Sequence, residues 1–239
     1  MTERLFLDDS YLQTAEAIVV AAEPGRVVLD RSPFYARSGG QPGDRGTLTW
    51  EAGALEILEA TKGDADTIHH VTALDAALPA PGARVHATID FPQRHRLMRM
   101  HTALHLLCSL LPGAAVTGGQ IGADRSRLDL DLAEAPDKAA LERGLAELIA
   151  AAHPVSAEWV DEAVLDTNPG LVRTLSVQPP RGTGRLRLVR IGAGAQPVDL
   201  QPCGGTHVRN TGEIGGISVV KVENKGRQNR RIALALVDA

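Results

Sequence analysis

Four side chains of the kinds that bind transition metals occur in two short segments that are far apart in the sequence. The segment HTALH contributes His101 and His105, and the segment CGGTH contributes Cys203 and His207. Imidazole nitrogen and thiolate sulfur form a ligand set that suits zinc, which binds such groups in tetrahedral sites. We therefore predict that these four residues together bind one zinc ion per chain.

A helix is the element that brings the first pair together. Residues four apart on a helix project from the same face, about one turn from each other, so His101 and His105 can reach one ion. The sequence predicts this helix over residues 90–111, because Asp90 is a suitable N-cap and Pro112-Gly113 stops the helical pattern. The helix is thus the first element that must position the predicted site.

Each pair taken alone also has an ordinary structural explanation. The helical stripe of the two histidines also carries Leu97, Leu104 and Cys108, so it should pack on the core. Cys203 could likewise be an ordinary buried cysteine. The glycines between Cys203 and His207, however, permit a tight loop in which both ligands point inward. The combination of the two segments therefore favours a shared metal site.

The chain divides near residue 90 into two parts, which we predict to be domains of an α+β protein. Residues 1–90 predict a small, barrel-like β domain, with strands over 17–22, 27–30, 55–60, 67–72 and 84–90. Residues 91–239 predict a two-layer α+β domain that contains the metal-binding helix. Its other predicted elements are a helix over 136–152 and strands over 115–121, 126–132, 185–191, 217–222 and 230–237.

Composition excludes several classes of protein. With 239 residues, 44% of them hydrophobic and 23% charged, the chain is typical of a soluble globular protein. No apolar run approaches the roughly 18 residues that a membrane span needs, so we expect no membrane association. Its 2 cysteines are too few for a disulfide framework and favour the reducing cytoplasm. An aromatic content of 3% argues against a base-stacking platform as the main binding device.

The charges are segregated along the chain. Residues 171–239 contain 11 Lys and Arg against 4 Asp and Glu, although the whole chain has a formal charge of -4. A basic segment of this kind suggests a face that binds an anion such as a nucleic-acid backbone. Pairing with acidic surfaces of the same chain explains the segregation equally well.

The two metal-binding segments resemble the paired signature of the editing domain of alanyl-tRNA synthetase and of its free-standing relatives, the AlaX proteins. The segment LDRSPFYARSGGQPGDRG, residues 29–46, is similar to the Gly-rich motif of this family. The segment VKVENKGRQNRRI, residues 220–232, is similar to its closing strand. The resemblance spans roughly residues 17–237, and the chain resembles the medium-length AlaX type. It departs from the synthetase pattern at Ser32, where threonine is more common.

This resemblance implies a zinc-dependent hydrolase of translation fidelity, which removes serine or glycine wrongly attached to the tRNA for alanine. Selection for serine requires a polar group that binds its hydroxyl, and the candidate side chains are Ser32, Gln41 and Thr206. Each also has a structural alternative: capping a strand end, shaping the glycine turn or holding the metal loop, respectively.

Basic side chains at the start of the predicted metal-binding helix and near the C-terminus are candidates for contact with the tRNA backbone. They are Arg94, Arg96, Arg99, Lys225, Arg227, Arg230 and Arg231. Two other functions remain open at this point. One is a non-catalytic tRNA-binding module with a structural zinc ion, and the other is a zinc hydrolase of small-molecule esters. The oligomeric state is left undetermined.

Overall fold

Two compact units make up the chain, and they comprise Met1–His95 and Arg96–Ala239. The computed structural model describes residues 1–175, 179 and 182–237. Over these residues the protein is a mixed α/β structure in which strands predominate and helices are few. No helix within the described ranges combines the length and the apolar character that crossing a membrane would require.

The first unit is built almost entirely of strands. They are β1 Glu3–Arg4, β2 Thr14–Glu23, β3 Arg26–Leu29, β4 Arg31–Ser32, β5 Gly46–Trp50, β6 Gly53–Ile57, β7 Glu59–Lys62, β8 Ile68–Val71 and β9 Arg84–Ile89. Seven of them form one antiparallel sheet in the order β6-β5-β9-β2-β3-β8-β7, and β1 pairs with β4. Side chains that alternate along the strands, such as Val27 and Leu29 on β3, fill the core of this unit.

The prediction of a barrel-like first domain is not confirmed, because the described residues contain no closed barrel. Closure requires the first and last strands of a sheet to pair with each other. The two edge strands here, β6 and β7, are instead consecutive in the sequence, and only Leu58 lies between them. Leu58 donates its backbone N–H to Val71 on β8. The edges are therefore joined by the chain itself and not by a hydrogen-bonded ladder.

The Gly-rich segment crosses this unit between β4 and β5 and is anchored by aromatic residues. Phe34 and Tyr35 are buried in the core. Gly43 is required by a close approach, since a Cβ there would lie 1.8 Å from the carbonyl oxygen of Ala60. Asp44 accepts a hydrogen bond from the backbone N–H of Tyr35 at 2.6 Å. The segment is thus a fixed part of the first unit.

The second unit combines helices with two antiparallel sheets. Helix α1, Phe91–Ser109, begins at the end of the first unit and continues into the second. The remaining elements are β10 Ala115–Gln120, β11 Arg125–Asp131, α2 Lys138–Ala150, β12 Val155–Asp161, α3 Val164–Thr167, β13 Arg185–Ile191, β14 Asp199–Pro202, β15 Gly216–Asn224 and β16 Asn229–Val237. The sheets have the orders β10-β11-β16-β15 and β12-β13-β14. Helix α2 packs against β15.

Candidate metal centre

Helix α1 carries the first two potential ligands through the interior of the second unit. The carboxylate of Asp90 caps its first turn by accepting a hydrogen bond from the N–H of Gln93 at 3.1 Å. From Met100 to Cys108 every residue of the helix is buried. His101 and His105 therefore project from a helix that packing holds in place.

The other two potential ligands lie in the loop that follows β14. Arg187 on β13 fixes this loop, because its guanidinium donates hydrogen bonds to the carbonyl oxygens of Cys203 at 2.8 Å and Gly205 at 3.1 Å. The backbone N–H of Cys203 also donates to the carbonyl of Arg187 at 3.2 Å. The sheet thus continues into the loop and sets the position of Cys203 and His207.

The structure brings the four predicted ligands together. One ligand atom from each of His101, His105, Cys203 and His207 lies within 4.8 Å of all the others. The Cys203 Sγ atom is 3.6 Å from Nε2 of His101 and 3.3 Å from Nε2 of His207. A tetrahedral zinc ion with ordinary bond lengths separates sulfur and nitrogen ligands by about 3.5 Å. The donor set and its spacing therefore fit a zinc ion.

The imidazoles of His105 and His207 are each oriented through the nitrogen that faces away from the cluster. Nδ1 of His105 lies 2.9 Å from Oδ2 of Asp199. Nδ1 of His207 lies 3.1 Å from Oγ1 of Thr102, whose hydroxyl donates to the carbonyl of Met98. In both cases the partner can accept the Nδ1–H, so Nε2 is left for a metal ion.

The ionisation of the cluster also suits a metal. Burial raises the pKa of the Cys203 thiol, but His101 and His207 outweigh this effect and hold the pKa well below its usual value. Burial and the neighbouring His101 lower the pKa of His207 to about 3. Burial opposes protonation of His105, yet hydrogen bonds with Asp199 and Cys203 raise its pKa to about 10. Thiolate and neutral imidazole are the forms that bind zinc, and an ion at His105 would displace a proton.

The candidate specificity residues are all buried. Ser32 lies in the first unit, where its Oγ is 2.7 Å from Nε2 of His70 and accepts a hydrogen bond from the N–H of Phe34 at 3.1 Å. Gln41 belongs to the Gly-rich segment, and its backbone pairs with that of Ser38. Thr206 lies within the metal loop of the second unit. Each of the three candidates is therefore a polar side chain buried within its own unit.

His70 is neutral in this environment. Burial lowers its pKa to about 4. Its Nδ1 lies 3.1 Å from the carbonyl oxygen of Val27 and must donate there, which leaves Nε2 as an acceptor. The hydroxyl of Ser32 is therefore the donor to His70, and its oxygen remains an acceptor.

Two of the predicted tRNA-binding arginines are buried. Arg94 is enclosed in the first unit, where its guanidinium pairs with Asp44 and donates to the carbonyl oxygens of Ser10 and Pro33. Arg230 donates to backbone carbonyls, among them that of Gly226 at 2.9 Å. Both groups stabilise the fold, and in this structure neither guanidinium is accessible to a phosphate.

The other predicted cations are more accessible. Lys225 and Arg227 are exposed at the turn between β15 and β16. Arg231 is partly exposed and forms two hydrogen bonds with Asp129, at 2.7 and 2.8 Å. Arg96 pairs with Asp124 at 2.6 Å, and Arg99 donates to the carbonyl of Ile214 at 2.8 Å. Among the predicted tRNA-binding cations, Lys225 and Arg227 are therefore the most exposed.

Three residues that support the ligands, namely Thr102, Arg187 and Asp199, were not predicted from the sequence. A signal for Asp199 was present, since Asp199 and Gln201 alternate before Cys203 as residues on one face of a strand do. Thr102 and Arg187 carried no comparable signal, because their roles depend on which carbonyl or imidazole the fold places beside them.

Two family descriptions match parts of the chain. The threonyl and alanyl tRNA synthetase second additional domain matches residues 186–233, which include the Cys203–His207 loop. The description of class II (A) tRNA synthetases matches residues 7–93. Together the two matches cover parts of both units.

Individual relatives match all or nearly all of the chain. The alanyl-tRNA editing protein AlaX-M of Methanosarcina acetivorans is 39% identical over 250 aligned residues, which cover 100% of both chains. The protein of the same name from Methanosarcina barkeri is 37% identical and is also covered completely. The alanine–tRNA ligase of Pyrobaculum neutrophilum is 35% identical over 93% of this chain but only 25% of the ligase.

Proposed function

Because the chain belongs to the AlaX-M family of alanyl-tRNA editing proteins, we propose that it hydrolyses the ester between tRNA(Ala) and a wrongly attached amino acid. The observation that carries this proposal is the cluster of His101, His105, Cys203 and His207, whose ligand atoms lie within 4.8 Å of one another. It occurs in a chain that matches AlaX-M proteins from end to end.

Serine and glycine are the proposed misattached amino acids. A pocket for alanine cannot exclude glycine, which is smaller, and it rejects a substrate that merely adds a hydroxyl by only about a hundredfold. A second, hydrolytic site must therefore remove both errors. Ser32, Gln41 and Thr206 are separate candidates for binding the serine hydroxyl, because each carries a buried polar group.

We propose that the metal is zinc, with one ion per chain. When bound, it would supply a positive charge that polarises the ester carbonyl, activates water or positions the terminal ribose. Four protein ligands fill a tetrahedral shell, which is typical of structural sites. Cys203 is the most exposed of the four potential ligands, so access to the site is proposed from its side.

The metal proposal is tested by elemental analysis of protein purified without added metal. The wild type should contain about one zinc per chain, and His101→Ala or His207→Ala should lower this content because each removes one of four ligands. Cys203→Ala should lower it too. Cys108→Ala is the matched control, since it removes a buried thiol that lies outside the cluster. Full zinc content in both histidine variants would contradict a shared site.

The activity is tested on tRNA(Ala) charged with serine, glycine or alanine. We expect the wild type to release serine or glycine faster than alanine, and Cys108→Ala to behave like the wild type. A protein that binds the charged tRNA without releasing any amino acid would support the alternative of a tRNA-binding module with a structural zinc ion. That alternative is favoured only by the closed ligand shell.

The tRNA backbone is proposed to contact the accessible cations of the second unit, chiefly Lys225 and Arg227, with Arg96, Arg99 and Arg231 as further candidates. Such contacts give salt-dependent affinity with little reading of sequence. We place the reaction in the cytoplasm, where the two cysteines would stay reduced.

A further inference from the structure

Asp199 lies directly behind one of the potential metal ligands, in a place where a carboxylate is costly to bury. Only 1% of the residue is exposed, and its Oδ2 is 2.9 Å from Nδ1 of His105. A buried carboxylate is strongly unfavourable unless charges and hydrogen bonds compensate for the lost hydration. The surroundings of Asp199 provide this compensation.

Two further side chains hold the Asp199 carboxylate in place. Gln201 donates from Nε2 to Oδ2 at 2.8 Å. A guanidinium nitrogen of Arg173 lies 3.6 Å from Oδ1, which has no hydrogen-bond partner among the described residues. Arg173 is itself anchored to helix α1, because it donates to the carbonyl oxygen of Cys108 at 2.8 Å. The carboxylate is therefore held from both sides while it faces His105.

The strand β14 explains how these groups converge. Asp199 and Gln201 are two residues apart, so their side chains leave the same face of the sheet. The chain reaches Cys203 two residues after Gln201. Residues 199–203 thus position both the potential ligand Cys203 and the Asp199 carboxylate, which contacts the potential ligand His105.

We propose that Asp199 is a positioning residue of the metal site. By accepting the Nδ1–H of His105, it holds the imidazole with Nε2 directed at the ion. This inference rests on the proposed metal site and extends it to a residue outside the four ligands. Carboxylate partners of this kind orient metal-bound histidines, and their loss typically lowers metal affinity about 10–100-fold.

A purely structural role for Asp199 is the competing explanation, since its ion pair with Arg173 also links β14 to α1. The two roles are separated by measuring zinc affinity and stability independently. Zinc affinity of the full-length protein is measured against a competing chelator, and unfolding is measured with excess chelator present. Asp199→Asn keeps the shape but removes the charge, and Asp199→Ala removes the acceptor.

Asp129→Asn is the matched control, because Asp129 forms a two-bond ion pair with Arg231 on the four-stranded sheet of the same unit. We expect zinc to bind about 10–100-fold more weakly to both Asp199 variants and within about twofold of the wild type to the control. Unchanged zinc affinity in folded Asp199 variants would overturn the proposal, even if their stability falls.

A second measurement needs no variant and therefore stands even if the substituted proteins do not fold. Nitrogen-15 NMR of the zinc-loaded wild type should find the His105 proton on Nδ1 and the metal on Nε2. Coordination through Nδ1 would overturn the role of Asp199. If the wild type binds no zinc at all, the proposed metal site itself fails, which is recognised before any variant is compared.

Discussion

Two cysteines of this chain illustrate how environment decides chemistry at the scale of the residue. Burial raises the pKa of Cys108 to about 12, so this side chain remains a thiol inside helix α1. At Cys203 burial acts in the same direction, but His101 and His207 outweigh it and keep the pKa well below its usual value. Since the thiolate is the form that binds metals, only Cys203 is prepared as a ligand.

Replacing the candidate specificity residues should separate recognition of serine from catalysis. If Ser32 or Gln41 binds the serine hydroxyl, Ser32→Ala or Gln41→Ala should lower kcat/KM for seryl-tRNA(Ala) more than for glycyl-tRNA(Ala). An unpaired buried partner costs about 1–3 kcal/mol, which corresponds to a selective loss of several-fold to about a hundredfold. Kinetics on both esters measure this selectivity, with zinc content as the control. An equal loss on both esters would assign the residue to catalysis or loop structure.

The buried His70 should make the first unit sensitive to acid. Its pKa is about 4 in the folded protein against an ordinary value near 6.5. Below pH 6.5 His70 is protonated in the unfolded chain but stays neutral in the folded protein. The free energy of unfolding should therefore fall as the pH drops towards 4. The loss should reach about 3 kcal/mol.

This pH dependence is measured by denaturant unfolding of the wild type and His70→Gln between pH 7 and 4. The difference between their slopes isolates His70 from other titrating groups. A His70→Gln protein with the full wild-type slope would contradict the prediction.

At the scale of the element, a buried ion pair ties the Gly-rich segment to the start of helix α1. Asp44 belongs to the segment and Arg94 to the first turn of the helix, and both are about 1% exposed or less. Arg94 is therefore enclosed in the fold, although the sequence predicts it as a tRNA contact. The residue type was compatible with both roles, and only burial distinguishes them.

Breaking this pair should destabilise the first unit strongly. Arg94→Gln would leave the Asp44 carboxylate buried without its cation, which typically costs about 3–5 kcal/mol. Arg45→Gln is the matched control, because Arg45 forms an exposed pair with Asp90 and should cost less than about 1 kcal/mol. Denaturant unfolding measures the loss of stability in each variant. Similar losses for Arg94→Gln and Arg45→Gln would contradict the burial of the pair between Arg94 and Asp44.

The β15–β16 hairpin combines structural and accessible cations within a few residues. Neutralising Lys225 and Arg227 together should weaken tRNA binding without unfolding the protein, because both are exposed. If each contacts one phosphate, the slope of log affinity against log salt should become shallower by about 1.5. Arg230→Gln should instead lower stability by about 1–3 kcal/mol, since it leaves buried carbonyls without donors.

Binding titrations at several salt concentrations, together with thermal unfolding, measure these two effects. The hairpin prediction would be wrong if the salt slope of the Lys225 and Arg227 double variant matched that of the wild type. The phosphate contacts would then be sought at Arg96 and Arg99.

At the scale of the whole molecule, each unit contains one of the 2 tryptophans, Trp50 in the first and Trp159 in the second. All four predicted ligands lie in the second unit. Zinc at about a thousand times its dissociation constant should stabilise the folded state by about 4 kcal/mol. Fluorescence of the Trp50→Phe variant should therefore show a higher unfolding midpoint with zinc than with chelator.

The Trp159→Phe variant reports the first unit in the same experiment. If zinc shifted the unfolding midpoint reported by Trp50 in the first unit but not the midpoint reported by Trp159 in the second unit, binding of zinc by the second unit would be contradicted. Cys203→Ala in the Trp50→Phe background is the control and should remove most of the zinc effect.

The sequence by itself determined the parts of the protein that depend on local chemistry. The helix at residues 90–111 was predicted close to its observed bounds, Phe91–Ser109, because its cap and stop signals are local. The same is true of α2 and of β13. The four potential ligands were identified from residue type and spacing alone, and the structure brings them together. Five strands, β1, β4, β5, β12 and β14, were not predicted, and β6 and β7 were predicted as one strand over 55–60.

Only the tertiary structure decided which polar side chains support the site and which are exposed. The strand β12 is mostly exposed and lacks a clear apolar alternation, so pairing with β13 defines it. Arg94 and Arg227 are the same residue type, yet one is enclosed with Asp44 and the other is exposed. Asp199 meets His105 across 94 residues of sequence. Such contacts arise when distant segments of the chain pack together, so local sequence patterns do not predict them.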